Sequence, residues 1–269
     1  MKFKVIRSLL IDLFVLLLGC LSLLTPFIFQ QARYPRFTQS SFPVMVSVII
    51  MLCITIVLFE SQSALLDGKM IALLGMLIAI NAGLRFLESA LPGPAGFTPI
   101  FFLIILSGYL FSSRVGFLMG AMTMLISALI TGGVGPWLPG QMITAGWLGQ
   151  SAALLKPIIA KCGWKEKPME IVILTAFSAV WGILYGLIMN LWFWPFLSNS
   201  PEMSWSQTIS VWENVKRYLA YYIATSLFWD LSRSVGNILI FSTLTKTVAK
   251  ILTRFYHRFS FQYTQTVNR

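Results

Sequence analysis

Charge is scarce in this chain, and so are the side chains that carry most protein chemistry. Only 11% of the 269 residues are Asp, Glu, Lys or Arg, against roughly 25% in a typical soluble domain. That excludes a water-soluble globule with a full polar coat. A single histidine, His257, leaves little for His-dependent catalysis or His-ligated metal, so no metal site and no cofactor are expected. Cys20, Cys53 and Cys162 are too few and too scattered for a disulfide framework or a zinc cluster. The chain also lacks Gly-x-Ser-x-Gly, His-Glu-x-x-His and a phosphate loop, which removes recognisable hydrolase and nucleotide-hydrolysing machinery.

Apolar residues fill the space. They make up 57% of the chain, and the mean hydropathy is +0.78. They fall into stretches of about twenty, the length of helix that crosses roughly 30 Å of hydrocarbon. Lipid satisfies no backbone hydrogen bonds, so helices are the economical way across. The sequence predicts an all-α integral membrane protein with about eight transmembrane helices, over 5–29, 42–59, 69–87, 97–111, 115–130, 141–160, 170–193 and 217–246. The charged start Met1 to Arg7 has the look of a signal peptide, but the apolar run behind it is long and lacks a clear cleavage site, so it reads as a retained helix. A polar stretch from Glu60 to Lys69 divides a two-helix N-terminal extension, 1–68, from a six-helix core, 69–248, and a basic tail follows over 249–269.

The net charge of +11 might suggest nucleic acid. Its distribution argues for topology instead, because Lys and Arg sit in short connections and at the two ends. With the N-terminus in the cytoplasm, fourteen of them fall inside, four outside and two, Arg85 and Arg233, within spans. That bias puts both termini in the cytoplasm of a multi-pass protein of the plasma membrane and leaves no role for nucleic acid. At the C-terminus the same basic residues also suit anionic lipid headgroups of the bilayer. The outward connections are then rich in Gly, Pro and Trp: Pro92 to Gly96, Gly132 to Gly140, and the segment around Trp205 and Trp212. Specialised chemistry belongs to that face.

Five groups of residues are candidates for function. Gly75, Ala79 and Gly83 recur every four residues, with Ala72 beside them, and clear one helix face of bulk; that face suits close packing inside the chain or docking of another membrane subunit. Asp230 and Arg233, three apart, share a helix face within the bilayer, where charge is expensive; a structural ion pair and a ligand anchor are both open. Arg85 and Glu88 repeat the spacing at a helix end, where snorkelling makes a surface pair the plainer reading. Asp12, Asn81, Asn190 and Asn237 need partners across helices. Tryptophans at the outer side suit an aromatic belt, and some of them a wall against a flat ligand.

The run from Thr98 to Leu155, TPIFFLIILSGYLFSSRVGFLMGAMTMLISALITGGVGPWLPGQMITAGWLGQSAALL, resembles the substrate-binding membrane subunits, or S components, of energy-coupling factor (ECF) type ABC transporters. The similarity lies in the SGYLF hairpin with Arg114 to Phe117, in Gly135 to Met142, and in the Gly/Ala-rich helix after it. The stretch Phe228 to Asn237 looks like that family's last helix. The resemblance implies a non-catalytic subunit that binds a small vitamin-like solute at the outer face and docks on a transmembrane coupling subunit driven by two cytoplasmic ATPases. It implies docking through Ala72, Gly75, Ala79 and Gly83, and ligand contacts at Trp137, Gln141, Trp147 and Trp194 with Asp230 and Arg233 as polar anchors. The Gly-Pro-Trp loop looks most like a cobalamin or corrinoid branch. Two extra N-terminal helices depart from the family's six-helix plan. Beside this stand a membrane scaffold or assembly factor without a ligand and, weaker for want of His and acid residues, a membrane enzyme.

Overall fold

The computed structural model describes residues 13, 15–17, 19–21, 23–24, 26–27, 48, 68–90, 98–196, 200 and 202–258. The second expected span apart from Val48, the Pro92 to Gly96 connection, Asp12 and the last residues of the tail lie outside them. The described residues between 13 and 27 are helical. From Gly68 onward the helices are α1 (Gly68–Ala90), α2 (Ile100–Leu110), α3 (Ser113–Thr131), α4 (Leu138–Ala152), α5 (Leu155–Lys161), α6 (Pro168–Phe193), α7 (Val211–Thr225) and α8 (Leu227–Arg258), with a 3-10 turn at Trp194–Phe196. The protein is all-α, and no strand occurs among the described residues. Within α1, α3 and α8, and along α6 with its turn, lie four stretches long and apolar enough to cross a membrane; α2 is a shorter apolar helix.

α2 is the axis of the bundle. Every residue from Ile100 to Tyr109 is buried, and the helix packs against α1, α3, α4, α6 and α8. At 11 residues it is about 16 Å long, so it spans only part of the hydrocarbon. Its uniform apolarity shows a helix surrounded by other helices rather than one with a polar side.

The tightest contact joins α3 to α4, where glycines let the backbones meet. A Cβ placed on Gly149 would lie 2.1 Å from the Gly116 carbonyl oxygen, and one on Gly120 would lie 2.0 Å from that of Ala145. Gly108 on α2 closes on the same Gly149 carbonyl. Ser112 starts α3 by accepting a hydrogen bond from the Val115 amide, and Gly132, in the left-handed region at φ 67°, ends it. Only glycine takes that conformation without strain.

Two expected spans are each divided. The stretch read as one helix over 141–160 turns at Ala153 and Leu154 into α4 and α5, just ahead of Pro157, whose ring cannot continue a regular helix ladder. The last span breaks at Ser226, whose backbone sits at φ −127° and ψ −26° while its hydroxyl donates to Asn190 Oδ1 on α6 at 2.9 Å. α8 then runs on to Arg258, past Val248 into the basic tail.

Candidate functional site

α6 and α8 run antiparallel along a seam of small and polar residues. Asn237 donates to the Ser178 carbonyl at 2.9 Å, Ser234 to the Ala179 carbonyl at 2.8 Å, and Arg233 to the Gly182 carbonyl at 3.3 Å. Ser178, Gly182 and Gly186 repeat every four residues and present the notch that these side chains enter. A Cβ on Gly186 would lie 1.7 Å from Asp230 Oδ2, and one on Gly182 would lie 2.4 Å from Ser234 Oγ. The two glycines are what admit a carboxylate and a hydroxyl to the helix surface, where apolar surroundings reward complete hydrogen bonding.

Asp230 and Arg233 form an ion pair at 2.5 Å, with side chains 3% and 19% exposed respectively. Tyr222, across the break from α7, donates to the other Asp230 oxygen at 2.8 Å. The Arg233 guanidinium lies 6.0 Å from the centre of the Phe101 ring and 5.8 Å from that of Tyr185, and those two rings are 4.9 Å apart. A cation over aromatic faces is stabilised by their quadrupoles, so Arg233 is oriented from three helices at once.

Arg85 turns inward from α1 instead of snorkelling. It donates to Met124 Sδ on α3 and, at 3.4 Å, to Gln141 Oε1 on α4. Glu88 accepts from Thr98 at 2.7 Å and interacts electrostatically with both Arg85 and Arg233. The surface-pair reading of Arg85 and Glu88 therefore gives way to a cluster of two polar groups at one end of the bundle: Arg85, Glu88 and Gln141, held to Met124 and Thr98, and Asp230 and Arg233, with Tyr185 and Phe101 beneath. Arg85, Glu88 and Gln141 are half-buried. The reason is register: one turn below Arg85, Asn81 donates to the Ile100 carbonyl at 3.0 Å and to Thr123 at 3.3 Å, which turns this side of α1 into the bundle.

The cluster sits where α1 and α6 finish and where α2, α4 and α8 begin. The opposite end carries Lys69, Arg114, Lys156, Lys161, Lys165, Lys167, Lys246, Lys250 and Arg254. The cluster and these basic residues thus lie at opposite ends of the bundle, with Lys216 and Arg217 of α7 on the cluster's side.

Of the six sequence-predicted ligand residues, the structure pairs Asp230 with Arg233 and joins Gln141 to Arg85 near the same end of the bundle. The three tryptophans stand elsewhere. Trp137 begins α4 and folds back on its own loop, its indole donating to the Gly133 carbonyl at 3.3 Å and its ring lying over Gly135. Trp147 packs on the N-terminal segment, where a Cβ on Gly19 would lie 2.1 Å from its ring. Trp194 is buried, donates to the Met203 carbonyl at 2.7 Å and packs against Tyr218 with centroids 5.3 Å apart. Phe101, Tyr185, Tyr222 and the Gly182/Gly186 notch are additions. Of these only the notch had a sequence signal, the Gly-x-x-x-Gly spacing with Ser178 four residues before it.

On α1, Ala72, Gly75 and Ala79 are exposed and Gly83 is half-buried. A Cβ on Gly75 or Gly83 would meet nothing within 4 Å among the described residues. Met70, Leu73, Leu74 and Leu77 face the core instead, so the small-residue face points away from the other described helices.

Residues 69–245 match the family model of the ECF transporter substrate-specific component. No curated protein and no solved structure matches the chain.

Proposed function

This chain belongs to the substrate-specific components of ECF transporters, membrane subunits that work with an energising ECF module, and on that premise we propose that it captures a small vitamin-like solute at the outer face of the plasma membrane. The observation that carries the proposal is the cluster around Arg233. Two charged side chains pair there beside two aromatic rings, with Arg85 and Glu88 at the same end of the helical bundle, opposite the end where most of the basic residues lie. Intramembrane charge is costly, and it gathers where a solute or ion is handled. The basic end faces the cytoplasm, which turns the cluster outward and leaves both termini inside.

Arg233, Asp230 and Gln141 serve as polar anchors, while Arg85, Glu88, Phe101 and Tyr185 complete the wall. Trp137 and Trp194 stand at the same end as gate and rim, and Trp147 acts through the N-terminal segment it touches. The open face of Ala72, Gly75, Ala79 and Gly83 takes the transmembrane coupling subunit, and two cytoplasmic ATPases supply the energy. A corrinoid is the substrate to test first.

The test is uptake. Cells expressing this chain with an ECF coupling subunit and its ATPases should accumulate labelled cobalamin or another labelled vitamin. Arg233→Ala should lower that uptake at least tenfold while the protein still reaches the membrane and still co-purifies with the module. Wild-type uptake unaffected by Arg233→Ala would remove the cluster from the substrate path.

A further inference from the structure

The helical stretch between residues 13 and 27 precedes the family-matched core, yet it is seated on the bundle. Val15, Gly19 and Pro26 are buried and Leu23 is half-buried, while Leu13, Leu16, Leu17, Leu21 and Leu24 are exposed. Steps of four, four and three residues put the first set on one helix face. That face rests on α4, and Gly19 is its notch: a Cβ there would lie 2.1 Å from the Trp147 ring and 2.6 Å from Ile143 Cγ2. α4 is in turn shut against α3 through Gly116, Gly120 and Gly149, so the N-terminal stretch is anchored to the tightest pair of helices in the protein.

Eight residues on, about 12 Å further along the helix, Phe27 meets a different set of partners. Its ring stands edge-on to Trp194 and Trp205, with centroids 6.4 Å and 5.6 Å away. Trp194 packs on Tyr218 at 5.3 Å, and Tyr218 stacks on Tyr222 at 6.3 Å. Tyr222 ends the series with its hydroxyl on Asp230. A continuous row of rings thus runs from the N-terminal stretch to the carboxylate that pairs with Arg233.

α7 is a helix that needs such support. Of its residues only Tyr222 is buried, and Val211, Trp212, Val215, Leu219 and Ile223 are exposed. Single hydroxyls tie it to its neighbours: Tyr218 to the Leu187 carbonyl, Tyr221 to Asn190 and Tyr222 to Asp230. A segment with little burial and isolated hydrogen bonds opens before the core does. The helix break at Ser226 is its pivot, and lifting α7 there would uncover Asp230, whose side chain is 3% exposed.

We propose that the N-terminal helix is a strap: seated on α4 through Gly19, it holds α7 down through Phe27 and so governs when water reaches the Asp230–Arg233 pair. Phe27 is a positioning residue that acts through Trp194, Tyr218 and Tyr222. The strap concerns how the pair is uncovered, and it holds whatever solute the protein binds.

The experiment treats the full chain in lipid nanodiscs with a water-soluble carbodiimide and glycine ethyl ester, which converts reachable carboxylates to amides, and locates the products by mass spectrometry. In the wild type Asp230 should react far more slowly than Glu166, an exposed carboxylate at the other end of the bundle. Phe27→Ala should speed the labelling of Asp230 relative to Glu166 at least tenfold, and should raise amide hydrogen exchange in α7 but not in α3 or α4. Phe27→Tyr, which keeps the ring edge, should return both readings to the wild-type range. Tyr222→Phe should also speed labelling, and combining it with Phe27→Ala should add little, because the two act on one row. Unchanged Asp230 labelling in Phe27→Ala would overturn the strap. So would exchange that rises in α3 and α4 as much as in α7, or a double variant whose gain is the product of the single ones. Should Phe27→Ala fail to fold, Phe27→Leu keeps the bulk without the aromatic edge and is read in the same way.

Discussion

Two surfaces of this protein carry the same signal, small residues four apart, and come to opposite ends. Gly116 and Gly120 on α3, with Ala145 and Gly149 on α4, are shut against one another so tightly that backbone meets backbone. On α1, Ala72, Gly75 and Ala79 are exposed, and a Cβ on Gly75 or Gly83 would meet nothing among the described residues. Spacing alone records that a helix can be approached closely. What approaches it depends on the rest of the helix: α1 places Leu73, Leu74, Leu77 and Asn81 on its inward side, and this fixes the small face outward. The α6–α8 seam is a third case, in which the space left by Gly182 and Gly186 is filled by charge and hydroxyl rather than by backbone.

The comparison breaks most visibly at its closed end. Gly149→Ala sets a methyl group 2.1 Å from the Gly116 oxygen, and neither backbone can withdraw without separating α3 from α4. Overpacking of this sort costs about 3 kcal/mol or more. Heating detergent-solubilised protein and following the monodisperse fraction by size-exclusion should show a large fall in apparent melting temperature. A variant as stable as wild type would mean that the two helices are further apart than described.

The α6–α8 seam should respond less, and non-additively. In Gly186→Ala the new methyl displaces the Asp230 carboxylate, loosening it from Arg233 and Tyr222; a loss of about 2 kcal/mol is expected. Asp230→Ser alone leaves Arg233 without its counter-ion and costs about 3 kcal/mol. Combined, the two changes should destabilise by clearly less than their sum, because the serine vacates the space that the alanine needs. Strict additivity in the melting temperatures would separate the glycine from the carboxylate and remove the notch as the reason the ion pair can form.

How much of this was readable beforehand follows from the range of each interaction. Helical spans come from local apolar runs, and α1, α3 and α6 fall within a few residues of expectation. Asp230 and Arg233 are three apart on one helix, so their pairing is a local fact too. Arg85 is the contrary case: nothing near it in sequence says that it will reach Gln141, 56 residues away, since that depends on how α1 is turned by Asn81. The break at Ser226 is equally non-local, because the group that receives its hydroxyl, Asn190, belongs to α6. The packing of the tryptophans is non-local for a related reason. Indoles mark interfaces and pocket walls alike, and only the packing of Trp194 on Tyr218 and of Trp147 on Gly19 separates them from the charge cluster.

The smallest effect on stability should come from the open end of the comparison, with a large effect on assembly. Gly75→Leu adds a bulky side chain where a Cβ meets nothing within 4 Å, and leucine is the better helix former by about 0.8 kcal/mol. The melting temperature should therefore stay level or rise slightly. Co-purification with the energising module should fall at least tenfold, because a docking helix can no longer approach the α1 backbone. The two measurements together decide what covers this face. Lost stability would show that the chain's own residues lie on Gly75, whereas an unchanged pull-down would move docking to another surface. Only a stable protein that no longer assembles fits a face kept small for a separate subunit.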